Sequence, residues 1–305
     1  MRIRILGSAA GGRFPQWNCA CPNCEAVRQG SPLHRARTQD SIAVTADGDD
    51  WFVFNASPDI SQQLEQAQAL WPRAPRHTPI AGILLGNGDM DHILGLFSLR
   101  ESQPLVLYAT ETVRSGLVEQ NVMFRTLRRF PEQTTFRRLE VDTPIALTGA
   151  GGRATSLVVT PFAIPGKRPV HLEQLGPSVP EDNVGFEIHD TRTDKRCLYV
   201  SAGSALETLW SRVERADCLL FDGTFWTSDE LIRLGLGKSR AEDMAHLPIS
   251  GERGSLVQLA KVARPRKIFT HINNTNPMLR EDSAERQQVL EAGLEIATDG
   301  MEIEL

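Results

Sequence analysis

The stretch GILLGNGDMDHILGL, residues 82–96, sets one apolar run against an acidic loop and then a second apolar run. Ile83, Leu84 and Leu85 close the segment IAGILL (80–85), which has the length and composition of a buried strand, and Gly86 and Gly88 break it. Asp89, Asp91 and His92 follow within four positions. Beyond them Ile93, Leu94, Leu96 and Phe97 recur at spacings that predict a helix over MDHILGLFSLRE (90–101), with those four residues facing inward. A strand that hands two carboxylates and an imidazole to the start of a helix belongs to a sheet covered by helices.

The same form recurs in the second half. DCLLFDGTF (217–225) and RKIFTHI (266–272) read as buried strands ending in an acid and in a histidine, so FDGTF and THINNTN join GNGDMDH as polar strand ends. A sheet protein can gather such ends in one crevice. Residues 2–6 predict a first strand, and SIAVTADGDDWFVFN (41–55) two strands about an Asp-Gly turn. ISQQLEQAQAL (60–70) predicts a helix capped by Asp59, PLVLYAT (104–110) a strand and TETVRSGLVEQ (110–120) a helix. ATSLVVTPFAI, VGFEIHD and KRCLYVSA predict strands, and LETLWSRVERA (206–216) a helix. Long polar connections at 164–184 and 226–254 are places where function is often carried. Together these elements point to an α/β protein with two sheets face to face and helices outside, a four-layer αββα sandwich. Strand positions alone leave a doubly wound fold open.

With 305 residues, 41% of them apolar, the chain can bury one large two-layer core, and we read residues 1–305 as a single domain. The net charge of −5 is spread along the chain, which argues against nucleic acid as a partner. No apolar run is long enough to span a bilayer, and the start breaks at paired glycines, so a cytoplasmic protein without stable membrane insertion is expected. Five cysteines do not make a disulfide framework: Cys197 and Cys218 sit in apolar segments, while Cys19, Cys21 and Cys24 crowd into WNCACPNC (17–24). Three soft donors so spaced suit structural zinc, held in a cysteine-rich loop over about residues 17–34.

The hexapeptide Asn87-Gly88-Asp89-Met90-Asp91-His92 resembles the strand-to-helix motif of the metallo-β-lactamase superfamily, usually His-x-His-x-Asp-His. Asn87 and Asp89 replace the two leading histidines, Asp91 and His92 remain, and THINNTN resembles the late segment that supplies a further histidine, here His271. The superfamily's bridging aspartate has no counterpart at Gly203-Ser204 in YVSAGSA, unless Asp222 or Asp89 supplies an equivalent oxygen. The resemblance therefore implies one reactive metal held by Asp91, His92 and His271, with Asp89 as a further candidate. One carboxylate and two imidazoles suit non-haem Fe(II) with positions open for oxygen and substrate, and equally accept Zn(II). Taken singly, each residue has a plainer reading: Asp91 as a helix cap, Asp89 as a turn residue, His271 as a core histidine.

Asp222 and His246, in MAHLPIS, resemble the superfamily's acid and downstream histidine, and form a candidate catalytic pair for proton transfer. A branch containing phosphonate-pathway phosphodiesterases also carries a Cys-x-Cys-x-x-Cys element, completed by a histidine three residues beyond the late one. Asn274 stands there in this chain, with His34 as an alternative fourth donor. GSAAGGRFPQWNCACPNC, NGDMDH, FDGTFW and FTHINNTNP, in that order, resemble most closely the family of pyrroloquinoline quinone (PQQ) biosynthesis B proteins. That resemblance implies iron- and O2-dependent hydroxylation of tyrosine in a Glu-Tyr unit of the quinone precursor. A small peptide or quinone-precursor substrate is the expected partner, and other PQQ-pathway proteins or a homo-oligomer are compatible with it. His171, in the 164–184 loop, and Arg13, Arg37 and Lys167 are candidates to face the substrate, the three cations through its carboxylates. A metal-dependent phosphodiester or ester hydrolase, or a carrier of the quinone or its precursor, are the other readings.

Overall fold

The computed structural model describes residues 1–305 other than 102 and 204. Among the described residues the strands form two seven-stranded sheets. The first contains β1 (Arg2–Gly7), β2 (Ser41–Thr45), β3 (Trp51–Phe54), β4 (Ile80–Leu84), β5 (Leu105–Ala109) and β6 (Thr134–Arg138), side by side in that order. The second contains β7 (Ile145–Thr148), β8 (Ala154–Ala163), β9 (Val184–Asp190), β10 (Lys195–Val200), β11 (Cys218–Asp222), β12 (Arg266–Thr270) and β13 (Glu295–Ile296). The chain then returns through β14 (Glu302–Glu304) to the free edge of β1. Strands β3 to β6 run parallel, as do β10 to β13, and the remaining pairs are antiparallel.

Successive side chains of a strand point to opposite faces, so a strand covered on both faces must be apolar throughout. In β4, Leu84 faces inward among Phe54, Phe186 and Tyr199, while Ile83 and the following Leu85 face outward onto Ile60, Ile93, Leu96 and Val113. In β11, Leu220 joins the inner cluster, and Leu219 and Phe221 pack outward with Leu256, Leu259 and Val289. Phe54 and Phe186 meet edge to face across the seam with centroids 5.1 Å apart. The result is the mixed α/β, helix–sheet–sheet–helix sandwich expected. It places the ends of the parallel strands β4, β11 and β12 along one rim. Among the described residues no helix is long and apolar enough to cross a membrane.

Several local expectations are corrected. The helix over 90–101 is α-helical only at Met90–Ile93 and continues as a 3-10 helix over Leu94–Leu99, which leaves Leu94 exposed and Phe97 half-buried instead of facing inward. The carbonyl of His92 is taken by the Ala56 N–H at 2.7 Å, so it cannot serve the next α-helical turn. Gly95 lies so close to residues 56–57 that a Cβ there would stand 2.1 Å from the Ser57 carbonyl oxygen. Asp59 does not cap the next helix, Ile60–Gln66; its carboxylate instead accepts the Gln39 backbone and side-chain N–H groups, both at 3.0 Å. The helix expected over 206–216 is α-helical only at Trp210–Val213.

Candidate metal centre

The loop after β4 is shaped by its own polar side chains. Asn87 Oδ1 accepts the Asp89 N–H at 2.9 Å, and the Asp89 carbonyl accepts the N–H groups of His92 and Ile93. This turn carries Asp91 and His92 toward His271, the residue after β12. One ligand atom from each of Asp91, His92 and His271 lies within 4.8 Å of the others. Asp91 Oδ2 stands 3.4 Å from His271 Nε2 and 3.8 Å from His92 Nε2.

His92 is buried, and neither ring nitrogen has a hydrogen-bond partner. A buried polar atom left unsatisfied costs about 1–3 kcal/mol, so this pair of orphaned nitrogens beside a carboxylate and a second imidazole fits a bound cation. Burial lowers the His92 pKa, keeping the ring neutral and able to donate a lone pair. Burial alone would raise the pKa of Asp91, but the neighbouring His92 and His271 outweigh it and hold the carboxyl well below its usual range. His271 is pushed up to about 9, because its hydrogen bond to Asp91 and the charges of Asp40, Asp91 and Asp222 overcome its burial. Below that pH a cation must displace the His271 proton. Apparent metal affinity is therefore expected to rise about tenfold per pH unit up to about 9, with proton release measurable by calorimetry in buffers of different ionisation enthalpy.

His271 adopts a left-handed backbone (φ 53°), an uncommon conformation for a side chain of this size. Thr224 packs against it. The Thr224 hydroxyl lies 3.0 Å from His271 Nδ1 and 2.9 Å from the His271 carbonyl, and it also bonds to the Asp222 carboxylate. A hydroxyl donating to Asp222 accepts from Nδ1–H, which leaves His271 Nε2 as the free donor facing Asp91. Asp222, the last residue of β11, is fully buried; its Oδ2 meets His246 Nδ1 at 2.6 Å and accepts the Gly203 N–H at 3.1 Å. Its carboxyl is held below its usual range, because the charge and hydrogen bond of His246 outweigh burial. Asp222, His246 and His271 also lie close enough to hold an ion. The Asp222 oxygens are already spent on Thr224, Gly203 and His246, so this group reads as an orienting cluster.

Asp91, His92, His271, His246 and Asp89 line one cavity of about 460 Å³, walled by Phe225, Val170 and Met244. Burial raises the pKa of Asp89 against the pull of His92. Gly11 forms part of the wall, and a Cβ there would stand 3.2 Å from Asp91 Oδ2. Gly11→Val is expected to push Asp91 aside and weaken metal binding by about 10-fold or more, read by competition with a chelating dye.

Of the other candidates, Lys167 lines this cavity. His171 is exposed and outside the residues that line it. Arg37 is buried against Ser8 and Ala297, and Arg13 pairs with Asp59 at 3.4 Å; neither lines the cavity. Thr224 and Gly11 carry no sequence signal of a role, and neither does Asp40. Asp40 is buried beneath the centre, bonded to Thr270 and Tyr199, with burial raising its carboxyl to about 6.

The second cluster lies apart from the cavity lining. Cys19, Cys21 and Cys24 bring their sulfurs within 4.8 Å of one another, with Pro22 starting the helix Pro22–Arg28 between them. Burial pushes Cys21 up to about 12, whereas hydrogen bonds from Cys21, Cys24 and Asn274 outweigh burial at Cys19 and lower it. Ionisation of the Cys21 thiol near neutral pH therefore calls for a cation. The Asn274 amide faces the three sulfurs at 3.2–3.6 Å. A half-turn of the amide about its Cβ–Cγ bond would bring its oxygen to the fourth position. His34 is outside the cluster, with its Nδ1 beside the Ser31 hydroxyl.

Comparison with known proteins agrees with this architecture. The model of the β-lactamase superfamily domain matches residues 50–272. Coenzyme PQQ synthesis protein B of Azoarcus sp. (strain BH72) is 43% identical, with all of both chains covered. The protein of the same description from Rhizobium meliloti (strain 1021) is also 43% identical, over 100% of this chain and 98% of its own. The crystal structure of Zn(2+)-bound PqqB from Methylobacterium extorquens superposes over 100% of both chains with a TM-score of 0.92 at 40% identity. A diphosphatase from the PhnP family, at 20% identity and a TM-score of 0.68, shares the fold.

Proposed function

The chain belongs to the coenzyme PQQ synthesis protein B family of the β-lactamase superfamily, and we propose that it hydroxylates a tyrosine-containing precursor of that quinone at a single metal ion. The observation that carries this reading is the triad of Asp91, His92 and His271 opening onto the cavity, with Asn87 and Asp89 at the positions where a second ion would need histidines. Fe(II) bound there supplies the activation of O2 that adds one oxygen atom to an aromatic ring. A two-electron reductant and two protons are also consumed as the other oxygen atom leaves as water.

The chain's own groups do the rest. Asp91, His92 and His271 would hold the ion, and Thr224 orients the His271 ring through Nδ1. His246, its Nδ1 tied to Asp222, keeps Nε2 to move a proton at the substrate, and Phe225 and Val170 offer apolar surface to the ring. Cys19, Cys21 and Cys24, with Asn274 opposite, would hold a structural zinc that locks the N-terminal loop onto the segment after His271.

Anaerobic loading with Fe(II), followed by O2, a reductant and a Glu-Tyr peptide, is expected to give a product heavier by one oxygen atom, absent in His92→Ala. Unchanged peptide despite confirmed iron and peptide occupancy overturns the oxidative reading. The zinc in the Methylobacterium extorquens relative favours a second reading, hydrolysis of an ester or phosphodiester with His246 assisting proton transfer. Turnover by the zinc-loaded protein without oxygen selects that one, and binding of the quinone or its precursor without turnover of either kind selects a carrier.

A further inference from the structure

Three arginine or lysine side chains stood as candidates for a substrate carboxylate, and their surroundings separate them. Arg37 is enclosed and Arg13 is paired with Asp59. Lys167 is exposed, lines the cavity over the metal triad, and has no ion pair among the described residues. Its neighbour Arg168 also lines the cavity but is spent within the loop: Nε meets the Asp182 carboxylate at 3.1 Å and Nη1 reaches the Gly176 carbonyl at 3.3 Å. Among the described residues, Lys167 is thus the one basic side chain of the cavity without an ion pair, in a lining whose acidic groups are Asp89, Asp91, Glu173 and Asp243.

Its backbone is not free to drift. Asn183 Nδ2 donates to the Lys167 carbonyl at 2.8 Å, and Gly166 lies so close to the same amide that a Cβ would stand 2.8 Å from Nδ2. Asn183 in turn bridges to Asn87, and the Val184 N–H donates to the Gly86 carbonyl at 2.8 Å. The lysine is therefore tied, through one side chain, to the strand end that carries Asp91 and His92. A flexible stem on a fixed base keeps the ammonium at the cavity while letting it adjust to a substrate group.

Resting on the proposed function, we propose that Lys167 is a specificity-determining residue: it reads a carboxylate of the substrate remote from the reacting ring. The Glu-Tyr unit of the proposed function carries two such carboxylates, on its Glu side chain and at its C-terminus, and a cavity of about 460 Å³ is of ligand size. With the acid at Lys167, the ring would lie toward Phe225, which also lines the cavity.

The test uses the zinc-loaded full chain, which holds the site without redox turnover, titrated by calorimetry with Glu-Tyr, Gln-Tyr and Glu-Tyr amide. The wild type is expected to prefer Glu-Tyr over one of the neutralised analogues by about tenfold, and added salt is expected to narrow the difference. Lys167→Met is expected to erase that preference while binding the neutral analogue as the wild type does, and Lys167→Arg to restore it. Discrimination that survives in Lys167→Met, or is missing from a wild type that binds all three, overturns the role of Lys167 and leaves the proposed function standing. A wild type that binds none of the three overturns the proposed function, and the inference with it.

Discussion

His92→Ala is expected to weaken binding at the Asp91–His92–His271 centre by at least about 100-fold, since it removes a donor outright where the loss of an orienting partner alone costs roughly 10–100-fold. The stability of the metal-free protein should behave differently. His92 is 2% exposed with both ring nitrogens unpartnered, so truncation removes an unsatisfied buried group worth about 1–3 kcal/mol while opening a cavity of opposite sign. The two effects offset, and the metal-free variant is expected to unfold within about 1 kcal/mol of the wild type. Saturating metal is expected to stabilise the wild type by about 2.7 kcal/mol at a hundredfold excess over its Kd, and the variant hardly at all. Denaturant titrations with and without metal, in protein whose cysteine site is already filled, read this directly. An undiminished metal-dependent gain in His92→Ala would show that the ion sits elsewhere.

Asp222→Asn keeps the shape of the buried side chain and removes its charge. The amide can still accept from Thr224 or Gly203, but it cannot serve every donor that now converges on the two carboxylate oxygens, His246 Nδ1 among them. His246 is then freed to turn or to take the other tautomer, and kcat on the preferred substrate is expected to fall by about 10²–10⁴ with little change in KM. A structural role for Asp222 would predict something else: lost stability and raised KM without a changed pH profile. The double variant Asp222→Asn/His246→Ala separates the two. If the residues act as one proton-transferring unit, the double variant is scarcely slower than His246→Ala, whereas multiplied losses would sink the dyad.

Much of this architecture is legible in the sequence because strands buried on both faces must be apolar throughout. IAGILL and the CLLF of DCLLFDGTF announce themselves in this way, and these two segments and RKIFTHI each lead to a residue of the centre or of its orienting cluster. The outer strands do not: β6 is TTFRR, an exposed edge whose pairing depends on β5 and not on its own pattern. The α-helix after His92 is shorter than its periodicity predicts for a related reason. Its periodicity is genuine, but the segment at Ala56 and Ser57 captures its backbone groups, a tertiary competition that no local pattern records. Asp91, His92, His271 and Asp222 are legible as residue types at or just beyond strand ends, and His246 through the resemblance of its segment MAHLPIS. Thr224 was not, because its importance comes from one hydroxyl reaching a histidine 47 positions away. Gly11 was opaque for the same reason, since its closeness to Asp91 exists only after folding.

The three donors of the centre do not share a sheet: Asp91 and His92 follow β4 in the first, and His271 follows β12 in the second. An ion between them would act as a rivet through the sandwich. Removing it should loosen the two halves at their seam while leaving each half's own ladder intact, so amide exchange would quicken first in the loops flanking the rim and spare the middle of each strand. Catalyst and fastener would then be the same atom.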